Sequence, residues 1–366
     1  MKVALVYDRV NKWGGAERVL LALHEIFPDA PLFTSVYSKE NAKWAKSFPK
    51  VIPSFINKFK IVRNRHELLP YLMPILFESH DFSTYGLVIS VTSEAAKGVI
   101  TKPPTYHICY CLTPTRYLWS HHDVYFKGQS LKGVVRPIVS YLRRWDKVAA
   151  NRPDVMVAIS KTVQDRIKKY YDRESKIIYP PVAPIITTPI RSTVVKGDYF
   201  LVVSRLVPYK RVDLAIEAFN QLKLPLVIVG VGSEEMKLKK MAKDNIKFFG
   251  QLTDSELAGY YKRCVALVMP QEEDFGLVAV EAQSFGKCVI AFNKGGAREI
   301  ILPGKTGIFF PKQSVGSLIN AIKKFENLPA GRQGTKFESN IIRKNARRFS
   351  KERFKKEFLD LVKNLP

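Results

Sequence analysis

Along the first half of the chain, short apolar runs alternate with stretches of helical length. Residues 3-7 form the first run, an amphipathic stretch extends from about residue 15 to 26, and further runs lie near 86-92 and 106-111. Compact apolar runs bounded by turn-forming residues predict buried parallel strands, and the amphipathic stretches predict the helices that cross between them. Residues 155-160 repeat the unit. They lead into 161-170, where apolar positions recur at helical spacing behind Ser160, a good N-capping residue. The alternation stops at residues 179-192, where Pro180, Pro181, Pro184 and Pro189 predict a stiff linker. It restarts with runs at 199-204, 226-230, 246-250, 265-270 and 288-292, which predict five strands of a second sheet. Residues 327-336 break the helical pattern and predict a surface insertion, and the basic, amphipathic tail 341-366 predicts one or two closing helices. The expected fold class is therefore α/β, with two Rossmann-like, doubly wound parallel-sheet domains facing a central cleft. Domain one is expected over 1-178 and domain two over 193-340, with the tail packing back towards the first.

Composition adds constraints. A length of 366 residues exceeds what one core usually organises. No run approaches the roughly 18 apolar residues that span a bilayer. The N-terminal run turns polar too soon for a signal-peptide core, so a cytoplasmic protein is expected. Cys109, Cys111, Cys264 and Cys288 lack metal or redox spacing and are expected as small buried hydrophobes. The net charge of +26, from 59 basic and 33 acidic residues, implies anionic partners: phosphorylated substrates, anionic lipid or nucleic acid.

Candidate chemistry collects at strand ends. Arg205 follows the 199-204 run, and Lys210 with Arg211 precedes a helix beginning near Val212, so cations stand beside helix N–H groups that favour an anion such as a diphosphate. Glu273 falls at the end of the 265-270 run. Glu281 lies about two helical turns further on, past Phe275, Gly276 and Leu277, among apolar neighbours that oblige a buried acid to find a partner. Paired carboxylates suit vicinal sugar hydroxyls. Gly295-Gly296 and Gly14-Gly15 each follow a strand and precede a helix, which permits close backbone approach to a ligand. Gly230 and Gly250, at two more strand ends, join the donor-side candidates.

With these residues in place, the stretch 200-310 resembles the C-terminal domain of retaining glycosyltransferases of family 4, which have the GT-B fold. Glu273 to Glu281 matches that family's E-x7-E motif with its internal Phe-Gly, and the opening Gly-Gly-Ala-Glu-Arg-Val is similar too, in the manner of the mannosyltransferase-like branch. The resemblance implies transfer of a hexose from a nucleotide sugar to a glycan or lipid-linked acceptor in cell-surface polysaccharide synthesis. GDP-mannose is the favoured donor and a UDP-sugar the alternative, and neither a cofactor nor a metal is expected. It further implies that domain two binds the donor and domain one the acceptor. Arg205 and Lys210 would hold the diphosphate, Glu273 with the N–H groups of Phe275 and Gly276 the sugar, Glu281 the ribose, and Gly15 the phosphate from the other domain. One position departs from the family: Leu112 stands where related sequences carry a histidine, and His107, His121 and His122 are the nearby histidines. Thr113, Arg116 and Tyr117 are the acceptor-side candidates.

Residues 55-66 interleave apolar and basic positions and suggest docking on an anionic membrane surface. Two rival functions share some of these features. A sugar-nucleotide epimerase would use the same phosphate sites, and a non-catalytic polyanion or nucleic-acid binder would account for the charge. Against the latter, no nucleic-acid motif is present.

Overall fold

A computed structural model describes residues 1-59, 70-120, 122, 132-182, 198-327 and 337-365. The chain forms two compact units, one of residues 1-181 with 354-366, the other of residues 182-353.

The first unit is built on a parallel sheet whose strands are β1 (Val3–Tyr7), β2 (Leu32–Thr34), β3 (Val51–Pro53), β4 (Leu87–Thr92), β5 (Tyr106–Cys111), β6 (Val155–Ala158) and β7 (Lys176–Ile177). Their order is β3-β2-β1-β4-β5-β6-β7. β4 is buried along its whole length and β1 and β5 along all but their first residue, because helices cover both faces of a doubly wound sheet. β2, β3 and β7 are only two or three residues long. They show no periodicity, and the apolar pattern did not predict them. The helix Gly15–Ile26 and the helix Lys161–Tyr171 form where expected, and the Ser160 hydroxyl accepts the Val163 N–H at its N-cap. The final helix, Lys351–Lys363, belongs to this unit from Phe354 onward, where Phe354 and Phe358 pack against Tyr110 of β5.

In the second unit the strands are β8 (Phe200–Val203), β9 (Leu226–Val229), β10 (Ile246–Phe249), β11 (Ala266–Met269), β12 (Cys288–Phe292) and β13 (Gly307–Phe310), ordered β10-β9-β8-β11-β12-β13. The sixth strand corrects the expectation of five. β13 hides because it begins on Gly307, where a Cβ would lie 2.3 Å from the Val289 carbonyl oxygen of the paired strand. The helix Ser339–Ala346, from the expected tail, falls in this second unit, where the Asn345 amide donates to Gln283 and to the Ile300 carbonyl. The four cysteines are free and buried, and burial pushes the Cys109 thiol up to about 11 and that of Cys264 to about 12. Most of the segment expected as linker and of the one expected as insertion, at 183-197 and 328-336, lies outside the described residues.

Both sheets reverse their strand order beside their first strand, between β1 and β4 and between β8 and β11. Loops leaving the carboxyl ends of such adjacent strands diverge, which makes this switch point the natural ligand crevice of an open α/β sheet. Each unit therefore has one preferred place for chemistry.

Candidate functional site

At the switch point of the second unit, β8 ends into Ser204-Arg205. A 3-10 turn (Pro208–Lys210) and Arg211, at φ 50°, then start the helix Val212–Leu222. Beside it β11 ends into Pro270 and Gln271. The two loops meet through an ion pair: Lys210 Nζ donates to Glu273 Oε1 at 2.5 Å, with both side chains largely buried. Gln271 Nε2 donates to the same oxygen at 2.7 Å. Glu273 Oε1 thus carries two donors, while Oε2 has no hydrogen-bond partner among the described residues. An ionised carboxylate held rigidly by one oxygen presents the other as an acceptor for a hydroxyl. Gln271 is 1% exposed and its Oε1 is buried without a partner, so this crevice contains a second unused acceptor. Arg205 is exposed and its guanidinium donates to the Tyr209 hydroxyl. Both Arg205 and Lys210 lie within 6 Å of the Tyr209 ring, at 5.9 and 5.5 Å. The ring spaces two cations without neutralising either.

Glu281 projects from the helix Leu277–Ser284 and is buried. Its partner is Tyr261, whose hydroxyl donates to Oε2 at 2.8 Å from the neighbouring helix Asp254–Arg263. The structure thus gives the two motif acids separate surroundings, Lys210 and Gln271 for one and Tyr261 for the other.

The glycines do different work from one another. Gly276 takes φ 108° and opens the helix that begins at Leu277, a conformation that a side chain would strain. Gly295 forms a bridge to Glu273, and the Gly296 N–H donates to the Glu273 carbonyl at 2.8 Å. A Cβ on Gly295 would lie 2.3 Å from the Glu273 carbonyl oxygen, and one on Gly296 2.3 Å from that of Phe275. The close approach that this pair permits is therefore to the chain's own backbone: the loop after β12 buttresses the loop carrying Glu273. Phe275 points the other way, its ring edge-on to Phe349 at 5.3 Å. Gly230, at φ 141°, lies where a Cβ would meet the Ser204 carbonyl oxygen at 1.9 Å, whereas Gly250 is exposed, with nothing nearer than Val231 at 3.8 Å. Gly296→Ala should accordingly cost about 1–3 kcal/mol in thermal or urea unfolding, and Gly250→Ala less than about 0.5 kcal/mol. Equal effects would refute the buttress.

At the switch point of the first unit, Gly14 is in extended backbone and Gly15 begins the helix Gly15–Ile26. Two buried acids tie this corner together. Glu17 accepts from the Tyr7 hydroxyl at 2.7 Å. Asp8 accepts from Thr92 Oγ1 and from the N–H groups of Ser93, Ala95 and Ala96. Asp8 is not among the sequence candidates, although an acid directly after a buried strand is a signal for such capping. Of the acceptor-side candidates, Thr113 is buried and receives Arg166 Nη1 at 3.5 Å, and Arg116 and Tyr117 are half-buried. Burial, with Asp146 nearby, raises the Tyr117 phenol above its ordinary value. Leu112 caps the end of β5, half-buried. His107 is no cleft residue: it is fully buried in β5, 2.8 Å from Ser90 Oγ, and burial, reinforced by Arg173 and Arg152, lowers it to about 3. His121 lies outside the described residues.

Among the described residues, no group of three or more His, Cys, Asp or Glu side chains is arranged as metal ligands, and no helix is long and apolar enough to cross a membrane.

Residues 190–349 match the family described as "Glycosyl transferases group 1". A glycosyltransferase of Methanocaldococcus jannaschii is 29% identical over 192 residues, covering 50% of this chain and 53% of that protein. The O-antigen chain mannosyltransferase C of Escherichia coli is 26% identical over 255 residues, covering 65% of each. The chain thus spans between half and two thirds of the length of these curated relatives. Among solved structures, Anabaena HepE in complex with UDP-glucose superposes with a TM-score of 0.73 at 19% identity, over 100% of both chains. Most of the second unit thus matches the glycosyl transferases group 1 model, and the chain as a whole has the GT-B fold.

Proposed function

We propose that the protein is a retaining hexosyltransferase that moves a sugar, mannose being favoured, from a nucleotide diphosphate donor to a glycan or lipid-linked acceptor. The observation that carries this reading is the Lys210–Glu273 pair: an ion pair at the switch point of the matched domain, braced by Gln271, with one carboxylate oxygen left over. In this reading Lys210 and Arg205 bind the diphosphate and stabilise the charge that grows on it as the anomeric C–O bond breaks. Glu273 Oε2 accepts a hydroxyl of the sugar, beside the backbone N–H groups of Phe275 and Gly276 and the start of the helix at Leu277. Glu281, oriented by Tyr261, takes the ribose hydroxyls. The acceptor oxygen bonds to the anomeric carbon on the face that the phosphate leaves, and its proton passes to a phosphate oxygen. Charge stabilisation and positioning are then the protein's contribution, and no metal is required. Gly14 and Gly15 are assigned to the phosphate, and Thr113, Arg116 and Tyr117 to the acceptor, on the first unit. We place the protein at the cytoplasmic side of an anionic membrane.

Mannose is supported by the E. coli relative's name and a UDP-sugar by the HepE complex, so the donor is best read directly. Thermal unfolding with GDP-mannose, UDP-glucose and the free nucleotides should show stabilisation by the true donor, about 2.7 kcal/mol at a hundredfold excess over Kd. Donor-dependent transfer should survive EDTA. If no nucleotide shifts the transition, the reading fails; an epimerised donor formed without acceptor would make the protein an epimerase.

A further inference from the structure

The helix Lys132–Ala150 has an outer face of unusual composition. Arg136, Arg144 and Lys147 are exposed there and have no acidic partner among the described residues. The helix's one acid, Asp146, points inward and is 1% exposed. Interleaved with the cations are Tyr141, 48% exposed, and Val148, 59% exposed. Trp145, one turn after Tyr141, donates through Nε1 to Glu78 at 2.7 Å, and Arg152 pairs with the same carboxylate at 2.7 Å. These bonds bring the helix Met73–Glu78 alongside, and that helix exposes Ile75 by 54% one turn before Glu78, with Tyr71 just ahead of it, 45% exposed. Two neighbouring elements of the first unit thus turn aliphatic and aromatic side chains to solvent, between cations that have no counter-ion among the described residues.

We infer that this face, formed by the helices Met73–Glu78 and Lys132–Ala150, docks on an anionic lipid bilayer. Basic side chains at a bilayer surface gain from the negative headgroup potential, and apolar side chains between them gain by leaving water at the acyl boundary. The aliphatic members distinguish the partner. Ile75 and Val148 gain nothing against a phosphodiester chain, so a nucleic acid would use the cations and leave the apolar residues wet. A purely apolar protein partner would leave Arg136, Arg144 and Lys147 unpaired. Phe55 and Phe59, in the same unit, are exposed as well, at 54% and 61%. The inference rests on the transferase reading only in making the bilayer the place where a lipid-linked acceptor waits.

The test is flotation of the full chain with phosphatidylglycerol-containing vesicles and with phosphatidylcholine vesicles, at low and high salt. Binding should require phosphatidylglycerol and weaken with salt. The R144Q/K147Q variant should reduce partitioning by about thirtyfold. The I75S/V148S variant should also reduce it, while leaving the salt dependence in place. Wild-type urea midpoints and an unchanged nucleotide-induced thermal shift would show that both variants are folded. Failure to float, equal binding to both vesicles, wild-type partitioning by both variants, or binding of RNA without vesicles would each overturn the inference. Vesicle binding without any nucleotide-induced shift would leave it standing and sink the transferase reading alone.

Discussion

Lys210→Met should lower the transfer rate by about 10²–10³-fold, the loss typical when one preorganised group facing developing charge is removed. The residue is buried and its ammonium is fixed on Glu273, so it needs no reorganisation as charge develops on a phosphate oxygen. Methionine keeps the length and the apolar stem while deleting the charge. The variant should lose kcat, and free nucleotide should bind more weakly because Lys210 also meets the ground-state diphosphate. A structural side effect is expected: Glu273 loses its counter-ion and keeps only Gln271 on Oε1. With both side chains slightly open to water, at 11% and 14%, the destabilisation should fall below the roughly 3–5 kcal/mol of a fully buried pair. Glu273→Gln separates the two functions. It retains a carbonyl acceptor and removes the charge, so donor-sugar selectivity should relax while diphosphate binding persists. Transfer by K210M within about threefold of wild type, in a variant still folded at the assay temperature, would remove Lys210 from the reaction.

How much of this was legible in the sequence follows from burial. Strands β1, β4, β5, β6, β8, β9, β11 and β12 lie inside their sheets and read as largely apolar runs, and β10, at a sheet edge, still shows Ile246, Phe248 and Phe249 around Lys247. β2, β3 and β7 are too short to show a period, and β13 is disguised by Gly307. The donor-side residues were legible as types at strand ends, yet their pairing was not. Lys210 and Glu273 are 63 residues apart and meet only because β8 and β11 are sheet neighbours, a fact of topology and not of spacing. The same holds for Tyr261, whose hydroxyl satisfies Glu281 from another helix. Gln271 carries a local signal: an amide directly after an apolar strand and a proline, two residues before a motif acid. The paired glycines at 295 and 296 were legible as a place of close approach, although the sequence suggested a ligand as the approaching group and the structure places backbone there. Glycine patterns report that something is near, not what it is.

The largest stability effect is expected away from that site, in the first unit, where Asp146→Ala should cost about 3–5 kcal/mol. Asp146 and Lys97 form an ion pair at 2.6 Å with side chains 1% and 2% exposed. Asp146 Oδ1 also accepts from Thr115 Oγ1 at 2.9 Å, and Oδ2 accepts from Trp119 Nε1 and the Tyr171 hydroxyl, each at 2.7 Å. Removing the carboxylate leaves a buried ammonium without its counter-charge, held only by the Glu94 carbonyl and Thr115 Oγ1, and takes the acceptor from Trp119 and Tyr171, each loss costing free energy. Lys97→Met should cost less, because Asp146 keeps those three donors. In the double variant K97M/D146L the losses should be well below additive, since no buried charge remains to be stranded. Single-variant losses under about 1 kcal/mol in urea unfolding would show that the network is dispensable. Its pH dependence has a definite sign. Burial alone would depress the Lys97 ammonium, but Asp146 overrides it and the net shift is upward; burial, then Asp146, also raises the Tyr171 phenol well above its ordinary value. A group held at a raised pKa in the folded state stabilises fully below its unfolded value, about 10 for both types, and loses that contribution as pH climbs towards the folded value. The urea midpoint of the wild type should therefore decline above about pH 10, more steeply than that of K97M/D146L, whose network no longer contains the lysine. Parallel declines in the two proteins would mean that alkaline unfolding begins elsewhere, and Tyr7, raised by its burial and by Glu17, would be the next group to remove.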